Sequence, residues 1–203
     1  MTNVHTGRYP VMIGSQHVEL PLVPLADDIA ISLLMTIDWG VRFMETAGRE
    51  LAELVRDTRP DIVATAATLG IPVAIETTRS LGLDDYLVLQ KTPKIHLKDA
   101  LVEGLSSITT DSSQVLRLDR ARAHAVAGKR VVLVDDVVAS GASMAACLRL
   151  LRAAGAEVVA IGVLLVEGAG WRNALGGDAD LVRTLGRIPA FARDGGAWRE
   201  VWH

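Results

Sequence analysis

Apolar positions along the chain change period several times, and each change marks an expected element. Between residues 28 and 55, Ile31, Leu34, Val41, Met44, Leu51 and Val55 recur at near-helical spacing, which predicts one long helix. Asp27 and Asp28 stand where caps would, and Gly40 and Gly48 are places for the helix to break or bend. Pro60 opens a short strand over 61–65. A small-residue loop at 66–70 leads to a helix over 72–81, and a strand over 85–90 runs into Lys91. Residues 92–114 are polar, rich in Ser and Thr, and hold no steady period. A strand is expected over 115–118 and a turn at Gly128, Lys129 and Arg130. Residues 131–134 are apolar without alternation, as in a strand covered on both faces. A helix over 143–154 stops at Gly155, and 157–166 is another buried strand. Strands alternating with helices predict an α/β fold, a central mostly parallel sheet flanked by helices. The tail from 168 onward is richer in Gly, Arg and Trp, breaks the pattern, and is expected to form a small lobe.

Within this frame one stretch carries chemistry, VVLVDDVVASGASM over 131–144. Two carboxylates, Asp135 and Asp136, end a buried strand, and only small residues follow: Ala139, Ser140, Gly141, Ala142 and Ser143. Ligands of open α/β sheets bind outside the carboxyl ends of the strands. A small-residue loop entering a helix N-terminus presents backbone N–H groups to a phosphate, with Ser140 and Ser143 adding hydroxyls. Two acids beside that phosphate suit sugar hydroxyls or a metal. The residues alone therefore point to a sugar phosphate.

The same stretch resembles the phosphoribosyl-diphosphate (PRPP) binding motif of type I phosphoribosyltransferases. That motif has four apolar residues, two acids, two apolar residues, a small residue and Thr-Gly-Gly-Thr. Here Ser140 and Ser143 replace the threonines and Ala142 the second glycine. The resemblance runs from about residue 30 to 168 and is closest to the purine enzymes for adenine and xanthine. It implies one domain over 1–203, with a core near 29–168 and a hood over the base from about 1–28 and 169–203. It implies transfer of ribose 5-phosphate from PRPP to a purine base, with Mg2+ carried by PRPP and pyrophosphate, in a homodimer. Asp135 and Asp136 would hold the ribose, and Ala139, Ser140, Gly141, Ala142 and Ser143 the 5-phosphate. Thr65, Ala66, Ala67 and Thr68, with Lys91 and Lys94, fall where the family binds pyrophosphate. The polar stretch at 95–114, which includes Glu103, corresponds to the loop that closes over the site. The base side would draw on Val137, Gly168, Trp171, Asp27 and Asp28; the two aspartates serve equally as caps. Glu167 is followed by Gly168, where the 6-oxopurine enzymes have a lysine, so adenine is expected ahead of xanthine or guanine. A PRPP sensor without turnover stays open as an alternative.

Composition narrows the rest. Half the residues are hydrophobic, enough for a sizeable core, and the net charge of −3 gives no reason to expect nucleic acid or an anionic membrane. A lone cysteine, Cys147, excludes an internal disulfide and fits a reducing cytoplasm. No apolar run approaches a membrane span, and no signal peptide is expected at the N-terminus. His5, His17, His96, His124 and His203 form no zinc spacing. Trp198 and Trp202 are expected to serve packing.

Overall fold

The computed structural model describes residues 4–91, 100–105 and 114–202. The strands of the first part are β1 (Val4–His5), β2 (Arg8–Ile13), β3 (Gln16–Pro24) and β4 (Ile29–Ser32). Helix α1 (Val41–Val55), β5 (Ile62–Ala66), α2 (Gly70–Leu81) and β6 (Tyr86–Leu89) follow. Then come β7 (Ala100–Leu105), β8 (Gln114–Asp119), α3 (Arg120–Ala123), β9 (Arg130–Val138), α4 (Ala142–Ala153) and β10 (Glu157–Glu167). The chain ends with α5 (Trp171–Leu175), β11 (Val182–Ile188), β12 (Ala190–Asp194) and β13 (Ala197–Val201).

Five strands form a parallel sheet in the order β11-β10-β9-β5-β6. The inner strands β5, β9 and β10 are apolar on both faces over most of their length because both faces are covered, whereas the edge strand β11 carries Arg183, Thr184 and Arg187. Along β9, Val131 and Leu133 enter one core with α4, β8 and α5, while Val132 and Val134 enter the other with α1, α2 and the N-terminal strands. β5 divides likewise, Ile62 and Ala64 to one side and Val63 to the other. This is the two-residue period of a strand expressed as two cores.

A second sheet of six strands is antiparallel, in the order β1-β13-β12-β4-β3-β2. The tail is therefore not one separate lobe. β12 and β13 pair with strands from the chain's beginning, and β11 extends the parallel sheet at the edge of β10.

The expected helix from 28 begins only at Val41, after Gly40 in an extended conformation. Residues 29–32 are β4, with Ala30 and Ser32 buried and Ile29 exposed. Ile31 and Leu34 fit a helical spacing by coincidence, and the alternation of β4 is too short to compete with it in the sequence. Asp27 and Asp28 accordingly cap no helix. They are exposed in the turn between β3 and β4, where the Asp28 carbonyl accepts from the Arg193 N–H at 2.9 Å. Gly48 does not break α1. A Cβ there would lie 2.4 Å from Glu76 Cβ, so the glycine lets α1 and α2 touch.

Besides the shared core, two close backbone approaches among the described residues join the sheets. The Gly14 N–H, at the turn between β2 and β3, donates to the Leu185 carbonyl at 3.0 Å. A Cβ on Gly186 of β11 would stand 2.3 Å from the Met12 carbonyl oxygen. β7, in the stretch where no period was legible, pairs antiparallel with β8, which is the strand expected over 115–118. Leu116 and Leu118 of β8 are buried, and Glu103 of β7 accepts from Arg149 Nε of α4 at 2.5 Å. No helix among the described residues is long and apolar enough to cross a membrane.

Candidate active site

Strand β9 runs past the two acids to Val138, so Asp135 and Asp136 belong to the strand itself. Asp135 pairs with Val163 of β10, and its neighbour Val134 with Thr65 of β5, which puts the acids between two strands near the carboxyl edge. The Asp136 N–H donates to Asp135 Oδ1 at 3.1 Å. Beside them α2 begins at Gly70, where a Cβ would fall 2.0 Å from Thr65 Oγ1 and 2.7 Å from Asp135 Oδ1. Only glycine lets the helix start this close to the carboxylate. Burial first, then the charge of Asp136, pushes the Asp135 carboxyl well above its ordinary value. Burial raises Asp136 as well, and the positive charge of Lys91 opposes both shifts. A ligand bringing hydroxyl donors or a cation would relieve this pair.

The loop after β9 leaves Ala139 and Ser140 exposed and turns at Gly141, with φ +79°, into α4. Ser140 Oγ accepts from the Ala142 N–H at 3.4 Å. A cavity of about 170 Å³ lies against the loop, lined among others by Asp135, Val137, Ser140, Ser143 and Met144. Gly141 is fixed by what lies behind it: a Cβ would meet the Trp171 carbonyl oxygen at 2.8 Å and Ala174 Cβ at 3.0 Å. Its left-handed backbone and the close approach of α5 both demand glycine.

Trp171 does not face a base. It is 3% exposed, packs in the core with Met144 and Leu175, and donates from its indole to the Gly168 carbonyl at 3.3 Å. It props the 139–143 loop from below, and stacking on a ligand would require it to leave the core. Trp198 is also buried, under the Arg193 guanidinium at 4.6 Å, while Trp202 is half exposed and donates to Glu200.

A second cavity, about 330 Å³, shares Ala139 and Ser140 with the first. Glu167 and Gly168 at the end of β10 form one wall, and Ala190 and Val201 of the antiparallel sheet another. Of the expected base residues, Gly168 lines this cavity, Val137 the first, and Asp27 and Asp28 neither. Glu167 was not among them. A polar residue closing an otherwise apolar strand is a common sequence event, and only the fold shows that this one faces a cavity.

Of the turn after β5, Thr65 and Ala66 are buried within the strand, while Ala67 is half-buried and Thr68 exposed. The Ala67–Thr68 peptide is cis. The Ala67 N–H already donates to the Leu89 carbonyl at 2.9 Å, and the Thr68 carbonyl accepts from Ile71. Lys91 is exposed just past β6, with its carbonyl accepting from Arg117 at 3.4 Å. Lys94, His96 and most of the polar stretch lie outside the described residues. Among the described residues no group of three His, Cys, Asp or Glu side chains is placed to hold a metal. Cys147 is buried in α4, its thiol pushed up to about 12 chiefly by burial.

Residues 42–185 match the model of the phosphoribosyl transferase domain, most of the chain and every site element named so far except the final strands. The chain belongs to this family. A xanthine phosphoribosyltransferase from Exiguobacterium sp. is 30% identical over 123 residues, 60% of this chain and 62% of that protein. An adenine phosphoribosyltransferase from Acidiphilium cryptum is 34% identical over 124 residues, 60% of this chain and 67% of that one. The chain thus spans about three-fifths of the length of the first of these relatives. In fold, the phosphoribosyl transferase domain is similar to an adenine phosphoribosyltransferase from Thermoanaerobacter pseudethanolicus. The TM-score is 0.68 at 20% identity, over 82% of this chain and 94% of that one.

Proposed function

We propose that the protein transfers ribose 5-phosphate from PRPP to a purine base, adenine ahead of xanthine or guanine, and releases pyrophosphate. The observation that carries this reading is the arrangement around Ala139 and Ser140. A phosphate-sized cavity that Asp135 lines and a second cavity that Ala190 and Val201 of the antiparallel sheet line share these two residues. The first fits the sugar phosphate, the second a flat base. Relatives acting on xanthine and on adenine lie at similar identity, so they do not separate the bases. What favours adenine is Gly168, which offers no side-chain donor to a 6-oxo group.

In the reaction the bond from the sugar's anomeric carbon to pyrophosphate breaks and a bond to a ring nitrogen forms, the nitrogen's proton leaving with it. Asp135 and Asp136 hold the ribose hydroxyls, and their charge favours the cationic sugar of the transition state. Backbone N–H groups over 139–143 clamp the 5-phosphate and fix the reacting carbon in place. Thr68 and the start of α2, with Lys91, face the leaving pyrophosphate. The Ala67 N–H is already bonded and contributes nothing there in this conformation. Among the described residues no third acid, histidine or cysteine stands with Asp135 and Asp136, so a Mg2+ arriving with PRPP would be held by these two carboxylates and by PRPP itself. Such an ion supplies charge neutralisation on the leaving group.

The expected homodimer has a face to use, where Ile37 and Val41 are exposed beside Trp39. A cytoplasmic location rests on the single buried cysteine alone. The deciding experiment is pyrophosphate release from PRPP and Mg2+ with adenine, hypoxanthine, xanthine, guanine, orotate and uracil in parallel. Release with adenine above all others is the expected result. PRPP binding by calorimetry without release for any base would replace the transferase reading with a sensor.

A further inference from the structure

The turn between β5 and α2, which the reaction scheme sets beside the leaving pyrophosphate, is held by a side chain from elsewhere in the chain. Thr36 opens a short 3-10 turn (Thr36–Asp38) between β4 and α1 and is 1% exposed. Its hydroxyl donates to the Leu69 carbonyl at 2.5 Å. Leu69 is the last residue before α2, and Gly70 after it is the position packed against Thr65 and Asp135. Burial by itself does not bring a hydroxyl its acceptor in this fold. Ser32, Thr77 and Thr78 are buried with hydroxyls that have no partner among the described residues. The reaction scheme gives Thr36 no part.

Peptide geometry says what the contact does. The Leu69–Gly70 peptide is trans, and in a trans peptide the C=O and the following N–H point in opposite directions. A hydroxyl that holds the Leu69 oxygen toward the 36–38 turn therefore aims the Gly70 N–H away from it. The N–H groups of Thr68, Leu69 and Gly70 have no hydrogen-bond partner among the described residues, as is usual at the start of a helix. The Thr68 carbonyl is also taken, accepting from the Ile71 N–H at 3.2 Å. Both carbonyls at the start of α2 are thus occupied, and its donors are left for an anion. Without the Thr36 hydroxyl, the Leu69 oxygen loses its partner and the peptide is free to rotate, which would present lone pairs in place of a donor.

We propose that Thr36 is a positioning residue for pyrophosphate, its hydroxyl fixing the Leu69–Gly70 peptide so that the Gly70 N–H, and not the Leu69 oxygen, meets the leaving group. This rests on the transferase reading and adds to it a residue that acts through the backbone rather than by touching PRPP. Negative charge grows on pyrophosphate as its bond to the sugar breaks. A donor held in place beforehand stabilises that charge without reorganisation, whereas an oxygen in the same place would repel it.

The reverse reaction, in which a nucleoside monophosphate and pyrophosphate regenerate PRPP and base, reads this contact. Thr36→Val keeps the volume of the buried side chain and removes the hydroxyl. With Mg2+ present, it should raise the KM for pyrophosphate by about fivefold or more, the loss that one hydrogen bond produces. The KM for the base in the forward reaction should not change. Thr36→Ser, which keeps the hydroxyl, should restore the wild-type value. A merely structural role would lower stability and the active fraction without moving one KM apart from the other. A folded Thr36→Val protein with an unaltered KM for pyrophosphate, or a Thr36→Ser protein as impaired as Thr36→Val, overturns the proposal. Should Thr36→Val fail to fold, NMR of the unaltered protein still decides. The Thr36 hydroxyl proton should exchange slowly with water, and pyrophosphate with Mg2+ should shift the Gly70 amide resonance. A hydroxyl in fast exchange, or an unmoved Gly70 amide, overturns the assignment. If no base supports pyrophosphate release, the transferase reading fails by itself. Calorimetric titration with magnesium pyrophosphate then reads Thr36 directly, weaker binding to Thr36→Val supporting it, and equal binding or none to the wild type overturning it.

Discussion

Single residues divide by whether their chemistry is local. The place of Asp135, Asp136 and the small loop after them, between a strand's carboxyl end and a helix start, was legible because an apolar run, two acids and a run of small residues are adjacent in sequence. Trp171 and Glu167 were not. Which way a side chain faces at the end of a strand depends on the next layer, and here α5 turns the tryptophan inward while the antiparallel sheet roofs the glutamate. Gly141 is glycine for a reason absent from its neighbours in sequence, the Trp171 carbonyl 2.8 Å from its missing Cβ. The acid pair gives the residue-scale prediction. Asp135→Asn with Asp136→Asn should abolish transfer, since ribose contacts and the favourable field disappear together. The same protein without ligand should be more stable than wild type at neutral pH, by about 2–4 °C in Tm for each kcal/mol relieved. Both carboxyls are raised on folding, so the folded state holds the protons more tightly than the unfolded one. Their contribution is fully present below the ordinary carboxylate value and is lost as pH rises through the raised values. The Tm advantage of the double variant should therefore shrink as pH falls toward 3.8, the ordinary aspartate value, and an advantage that grows in acid would contradict the shift.

Elements were legible where their periods were long. α4, β9 and β10 lie within one to four residues of their expected limits, because continuous apolar runs bounded by glycine have few alternatives. β4 was lost inside an expected helix, since four residues cannot establish a period against the helical spacing of Ile31 and Leu34. β7 was missed because its paired ribbon carries little buried surface outside its partner strand. Gly48 belongs to this scale: its place in α1 reads as a weak point, yet it is the contact between two helices. Gly48→Ala adds intrinsic helix propensity and should still destabilise, by about 1–3 kcal/mol, as overpacking does in close-packed cores. Urea denaturation measures this, and a gain in stability would show that α2 yields without penalty.

On the whole-molecule scale, the parallel sheet was readable from alternation of strands and helices, whereas the antiparallel sheet was legible only through the family resemblance, as a hood drawn from both ends, and its pairing was not legible at all. Its strands come from both ends of the chain, and no local pattern tells residue 30 that it will pair with residue 191. The two sheets meet at the turn between β2 and β3, where Glu50 of α1 accepts from the Ser15 backbone N–H at 3.0 Å and from its hydroxyl at 2.5 Å. Glu50→Ala removes both, and a Tm loss corresponding to about 1 kcal/mol is expected from two exposed hydrogen bonds to a charged group. An unchanged melting curve would place the strength of the junction in the Gly14 and Gly186 backbone contacts instead.

The pairing of β1 with β13 and of β4 with β12 also orders events in time. During synthesis β2, β3 and β4 are made before the strands of the parallel layer, and the open edge of β4 has no neighbour until some 160 further residues have been made. The roof over the second cavity is therefore completed last, after the parallel layer already has its strands. A nascent chain arrested before residue 190 would hold the acids and the phosphate loop but lack the Ala190 and Val201 walls. Because β1 and β13 lie side by side, a short linker joining these two strands, with an opening made elsewhere on the surface, would let the six-stranded layer assemble from one continuous stretch.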